Sequence, residues 1–136
     1  MWQVRVSKIT VEYSIDRVSS PLSFWVHKAL DSDVSWSDST KYLPSLAPLV
    51  LGKGYPTFGL EYRGHFLYFC SKEEIVHCID VLSHKVLPSP KRLTEIAGHS
   101  GYKHLHWLTK WPGDIKAWKD RQLIIKSLNK LLVKAT

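Results

Sequence analysis

Two sets of side chains in this chain have types and spacings suited to chemistry on polyanions. Placed on a helix of 100° per residue, Lys116, Lys119, Lys126, Lys130 and Lys134 fall within an arc of about 80°. Such a stripe can follow a row of phosphates and release their condensed counterions, giving binding that is strong at low salt and weak at high salt. A solvated helix face that only keeps the protein soluble has the same pattern. His99, His104 and His106 form the second set. Two imidazoles and a lysine suffice for metal-independent RNA cleavage, one as base, one as acid, with the cation stabilising the phosphorane. The same histidines could ligate a transition metal, but no cysteine or acidic residue stands beside them at ligand spacing.

Aromatic residues accompany these groups. Trp107, Trp111 and Trp118 lie in the same region, and exposed rings there could stack on unpaired bases. Trp107 and Trp111 are one helical turn apart, so at least one belongs to the core, as Trp118 should; Trp107 or Trp111 is then the stacking candidate. Gly98-His99-Ser100-Gly101, flanked by Lys91, Arg92, Lys103 and His104, resembles the loop that clamps a nucleotide backbone in KH domains. The strands that should follow such a loop are replaced by a long helical pattern. A helix-turn-helix reader would direct Lys116, Lys119, Asp120 and Arg121 toward base edges, although a helix half of whose surface is apolar is expected to close a core.

Elsewhere the chemistry is weaker. Asp31, Asp33 and Ser35 imitate the start of a calcium loop, but Trp36 and Tyr42 occupy the positions that need glycine and glutamate. Glu73, His77, Asp80 and His84 have ligand-like spacing on a helix face that reads as solvated. Gly52-Lys53-Gly54 lacks the spacing of a phosphate loop, and neither G-x-S-x-G nor H-E-x-x-H occurs. No cofactor is implied, and a non-enzymatic protein is favoured.

The elements that must position these residues differ along the chain. Residues 1 to 90 hold nine Lys+Arg and nine Asp+Glu, whereas residues 91 to 136 hold ten Lys+Arg against Glu95, Asp114 and Asp120, so the whole net charge of +7 lies in the last third. That asymmetry points to nucleic acid, DNA or RNA, or to an acidic protein surface as partner. With 136 residues, 44% hydrophobic, one domain is expected. No apolar run is long enough to span a bilayer, no secretory leader pattern opens the chain, and two cysteines suit a reducing compartment, so a cytoplasmic protein is expected.

Trp2 to Ile15 alternates with a change of phase near Ser7-Lys8, which implies β structure with a bulge or turn. Ser20-Pro21 opens a short helical pattern containing Leu22, Trp25, Val26, Ala29 and Leu30, and residues 31 to 45 read as a surface loop. Thr57 to Cys70 forms a hairpin about Arg63-Gly64, whose returning strand is apolar on both faces and so is expected inside the sheet. Ser71 and Glu74 make a capping box for a helix over 72 to 86, with Ile75, Cys78, Ile79, Leu82 and Val86 inward. Pro88 and Pro90 form a hinge. Arg92 to Ala97 could be a short helix, and Lys103 to Trp111 precedes a final helix over Ile115 to Lys134 capped by Asp114.

The fold expected is thus α+β: a small antiparallel sheet of the N-terminal strands and the 57–70 hairpin, packed by helix 72–86, with a C-terminal helical pair. The function expected is nucleic-acid binding through Lys91, Arg92, His99, Lys103, Lys116, Lys119, Lys126, Lys130 and Lys134, with Trp107 or Trp111 stacking. A regulator or inhibitor that binds protein would instead expose an apolar patch over Trp25, Trp36 and Tyr42; a toxin-like ribonuclease and a membrane-surface role for the final helix are further readings.

Overall fold

The computed structural model describes residues 8–31, 34–87, 89, 92 and 107–136. A three-stranded antiparallel sheet is formed by β1 (Lys8–Ser14), β4 (Tyr55–Tyr62) and β5 (His65–Phe69), in the order β1-β4-β5. Between β1 and β4 the chain makes one helical turn, α1 (Ser23–Val26), and a two-strand ribbon of β2 (Lys28–Ala29) with β3 (Tyr42–Leu43). Two longer helices follow, α2 (Lys72–Leu82) and α3 (Trp118–Ala135). The architecture is α+β.

Arg63 and Gly64 both take positive φ, at 49° and 81°, the backbone of the tight turn whose twist matches the paired strands. This fixes the register of β4 on β5 so that Phe58 faces Phe69 and Leu60 faces Leu67, while Ile9 and Val11 of β1 oppose Leu60 and Phe58. One sheet face therefore carries Ile9, Val11, Phe58, Leu60, Tyr62, Leu67 and Phe69. It packs against Ile75, Cys78 and Leu82 of α2 and Ile124, Leu128 and Leu131 of α3. Each such side chain removed from water contributes about 1.5–3 kcal/mol.

Several boundaries differ from those the sequence suggests. Among the described residues β5 is at the sheet edge, not inside it. Its double apolarity has another origin: Leu67 and Phe69 face the helices, and on the outer side the Phe66 ring lies over Gly59. Helix α2 ends at Leu82, not at residue 86, and leaves Val86 86% exposed. Continued helix would need an amide at residue 88 for the His84 carbonyl, and Pro88 has none. Arg121 supplies the missing donors instead, with Nη1 to the carbonyls of Leu82 (3.0 Å) and His84 and Nη2 to that of Lys85 (2.7 Å).

The last helix starts at Trp118 rather than Ile115, because Gly113–Ile115 is a 3-10 turn and Ala117 occupies the N-cap without a side-chain bond. Asp114 is not its cap; its carboxylate lies 3.1 Å from His65 Nε2. Trp118 is half-buried rather than core, with the Arg121 guanidinium 5.0 Å above its ring. Of the expected first member of the C-terminal pair, the described part, Trp107–Lys110, is a 3-10 turn. The Trp2–Val6 strand, Pro88 and Pro90 of the hinge, the 93–97 segment and the 98–101 loop lie outside the described residues.

Candidate nucleic-acid interface

Helix α3 is amphipathic because its apolar positions recur at i, i+4 and i+7 through Ile124, Leu128 and Leu131, all completely buried. The opposite side presents Lys119, Gln122, Leu123, Lys126, Asn129, Lys130, Val133 and Lys134, every one exposed. No carboxylate interrupts that face: the helix's single acidic residue, Asp120, points inward, where Tyr62 Oη donates to it at 2.7 Å and Arg63 Nη1 at 3.3 Å. Four ammonium groups thus sit on one side of a helix segment about 22 Å long from Lys119 to Lys134. Lys116 is not one of them. It lies before the helix, half-buried, with its carbonyl accepting from Arg121 Nε at 2.8 Å.

Asp120 and Arg121 stood among the base-reading candidates. Both are buried, and Arg121 bonds four carbonyls in all, at Lys116, Leu82, His84 and Lys85. A guanidinium committed in this way is a tether between the end of α2 and the start of α3, and withdrawing it would strand several buried acceptors. Two of the four residues a helix-turn-helix would aim into a groove, Asp120 and Arg121, are therefore structural here.

The tryptophans divide as their spacing requires. Trp107 is 2% exposed and its Nε1 donates to His77 Nε2 at 3.0 Å, so it cannot stack on a base without unpacking. Trp111 meets it edge-on, with ring centroids 5.7 Å apart, and remains partly exposed. His77 is accordingly not part of a solvated helix face; burial holds it neutral, below the usual histidine range, against the opposing charges of Asp80 and Glu74. Arg92 is exposed, with its amide donating to Ser89 Oγ at 3.2 Å. Lys91, His99, Lys103, His104 and His106 lie outside the described residues.

The sequence gives no hint of the most connected polar centre. Glu74 and His27 are both completely buried, 3.3 Å apart. Glu74 also accepts from Ser20 Oγ, from Ser23 Oγ (2.9 Å), from Ser71 Oγ (3.3 Å) and from the Cys70 amide (3.1 Å). Ser71 caps α2 as expected, accepting from the Glu74 amide, but the backbone amide that the Glu74 carboxylate takes is that of Cys70 rather than that of Ser71. The His27 ring bridges the Pro44 carbonyl and Ser71 Oγ, each at 2.7 Å. Burial opposes both charges, yet these bonds win, lowering the Glu74 pKa and raising that of His27. These bonds join α1, α2 and the loop after β3.

A neighbouring pocket is lined in part by Arg17, Trp36, Tyr42, Tyr55 and Cys70. Burial and the Glu74 charge push the Cys70 thiol up to about 12, and burial raises Cys78 as well. Asp31 clamps its own loop through Ser39 and Thr40 instead of resembling a calcium ligand. Among the described residues no cluster of three or more His, Cys, Asp or Glu could hold a metal ion, and no helix is long and apolar enough to cross a membrane.

Two aromatic residues of β5, Phe66 and Tyr68, lie on the outer side of the sheet. Phe66 is 56% exposed and its ring stacks on that of Tyr68, centroids 6.1 Å apart and planes 12° from parallel. Alternation in a strand predicts that they share a face; only the fold shows that this face is the outer one. No known protein family matches this chain, and no match is found among curated proteins or solved structures.

Proposed function

We propose that this protein binds nucleic acid through phosphate contacts made by the exposed face of α3, without catalysing a reaction. The observation that carries this reading is the face itself: Lys119, Lys126, Lys130 and Lys134 are exposed together, and the helix's one carboxylate is turned into the core. A helix that needed only solubility gains it from mixed charges; a one-sign face attracts a polyanion and releases its counterions. Arg92 extends the set, and Lys91, Lys103 and His99 join it in sequence. Because Asp120 and Arg121 are engaged internally, the binding depends on backbone charge more than on base sequence. Two free thiols, Cys70 and Cys78, agree with a reducing cytoplasm as the site of action.

The protein-binding alternative called for an apolar patch over Trp25, Trp36 and Tyr42. Trp25 is buried, Trp36 Nε1 donates to the His27 carbonyl at 2.6 Å, and Tyr42 packs on Trp36 with ring centroids 5.1 Å apart. Trp36 and Tyr42 are half-buried and packed on one another beside a pocket, so the three rings do not make one exposed apolar patch. The test is fluorescence anisotropy with labelled DNA and RNA at low salt. Wild type binds, and Lys126→Glu with Lys130→Glu weakens binding by about tenfold or more; undetectable binding by wild type, or an unchanged double variant, overturns the reading.

A further inference from the structure

We infer that the recess between the β1–α1 connection, the Trp36 turn and the start of β4 binds a small aromatic acid, a flat ring carrying one carboxylate or phosphate. The ring lies among Trp36, Tyr42 and Tyr55, and the oxyanion lies on Arg17. The recess shares no residue with the lysine face of α3, so this is a second site with a small-molecule ligand of its own.

The walls of the recess are tied in place. Trp36 Nε1 donates to the His27 carbonyl at 2.6 Å, Tyr42 Oη donates to the Trp36 carbonyl at 2.5 Å, and the two rings meet edge-on with centroids 5.1 Å apart. Rings bonded to the backbone in this way hold open a space of about 200 Å³. Sites for drug-sized molecules span ~300–1,000 Å³, so this one suits a single ring with a short substituent, and aromatic walls favour a flat ring through edge and face contacts. The inner end calls for no charge. Cys70 and Ser23 lie there, and Glu74, which has no exposed surface, is already met by His27 and by the hydroxyls of Ser20, Ser23 and Ser71. A ligand therefore points its uncharged end inward.

The outer end does call for a charge. The Arg17 guanidinium lies 4.5 Å from the centroid of the Tyr55 ring, and its Nη1 donates to the Ala47 carbonyl at 2.9 Å. Among the described residues its Nε and Nη2 have no partner, and no carboxylate pairs with it. A guanidinium fixed on a ring with one edge of its fork unused matches an oxyanion bidentately, and holding it in advance lowers the ordering cost of binding. A second recess of about 600 Å³ shares Arg17, Ser37, Tyr42 and Leu46 with the first and adds Lys41, so another cationic residue borders the oxyanion's side. The carboxylates of the same loop are engaged locally, Asp31 by Ser39 and Thr40 and Asp38 by Ser35. Aromatic walls, a neutral inner end and a preset guanidinium at the outer end together specify the ligand's chemistry.

The experiment titrates benzoate, phenyl phosphate, benzamide and inorganic phosphate into the protein and follows the Trp36 indole N–H by NMR. Benzoate or phenyl phosphate should give a saturable shift at millimolar concentration, as suits a ligand of about ten non-hydrogen atoms, and the tighter of the two identifies the oxyanion. Benzamide lacks the charge and inorganic phosphate lacks the ring, so each should bind at least about tenfold more weakly. Arg17→Gln should weaken the aromatic acids by about tenfold or more, whereas Lys126→Glu with Lys130→Glu should bind them as wild type does. The site is refuted if neither aromatic acid moves Trp36, if benzamide or inorganic phosphate binds as tightly, or if Arg17→Gln binds like wild type. Loss of binding in the α3 double variant would place the acids on the lysine face and refute it as well. Should thermal melting show that Arg17→Gln is unfolded, Arg17→Lys, which keeps the charge and loses the fork, decides by the same comparison.

Discussion

At the scale of single residues, the molecule's polar chemistry is turned inward. His27 and Glu74 form a buried pair whose stability contribution has a definite pH window. The Glu74 pKa is lowered in the fold, so its contribution is present above the ordinary carboxylate range and lost as pH falls through the folded value. The His27 pKa is raised, so its contribution is full below about 6.5, its ordinary value, and lost as pH rises through the folded value. Thermal stability should therefore peak between about pH 4.5 and 6.5 and decline on either side. Glu74→Gln should cost about 3–5 kcal/mol and flatten that profile; melting temperatures across pH 4 to 9 check both, and an unchanged profile would mean the pair stays unionised. A second outcome follows from the thiols. With Cys70 pushed up to about 12 and Cys78 fully buried, the folded protein should react with a thiol reagent at pH 8 far more slowly than the protein in denaturant.

At the scale of elements, what was legible in the sequence was local, and what was missed was remote. Arg63-Gly64 announces the hairpin because two positive φ values in succession are needed there and glycine tolerates one of them. Ser71 announces the start of α2 because the cap bond spans three residues. The end of α2 was overrun by four residues because its carbonyls are satisfied by Arg121, which reaches them across 39 residues of chain at Leu82. The His27 partnership with Glu74 was equally hidden, since Glu74 gathers its bonds from Ser20 and Ser23, more than 50 residues away. The lysine stripe is legible from period alone, but Lys116 falls off it because the helix begins only at Trp118, after the Gly113–Ile115 3-10 turn. Arg121→Ala should destabilise the fold by about 3 kcal/mol or more through stranded carbonyls, whereas Lys130→Ala should change it by less than about 0.5 kcal/mol. Urea midpoints distinguish these; equal effects would contradict the tether.

At the scale of the whole molecule, a sheet backed by two helices leaves two unlike surfaces uncovered by the described residues. One is the outer face of α3, carrying four lysines, and the other is the aromatic side of β5. The sequence predicts the first through its +7 imbalance and is silent on the second, because the placement of β5 at the edge is a property of strand order. Binding that depends on backbone charge has a measurable signature: log K falls linearly with log salt, and each phosphate contact adds about 0.9 to the slope for duplex DNA. The most direct measurement of the central claim is a salt titration of duplex binding by wild type and by Lys126→Gln with Lys130→Gln. The account predicts that the double variant binds more weakly at every salt concentration and that its slope is smaller by about 1.8. Parallel lines of equal slope would contradict it, showing that these lysines touch no phosphate.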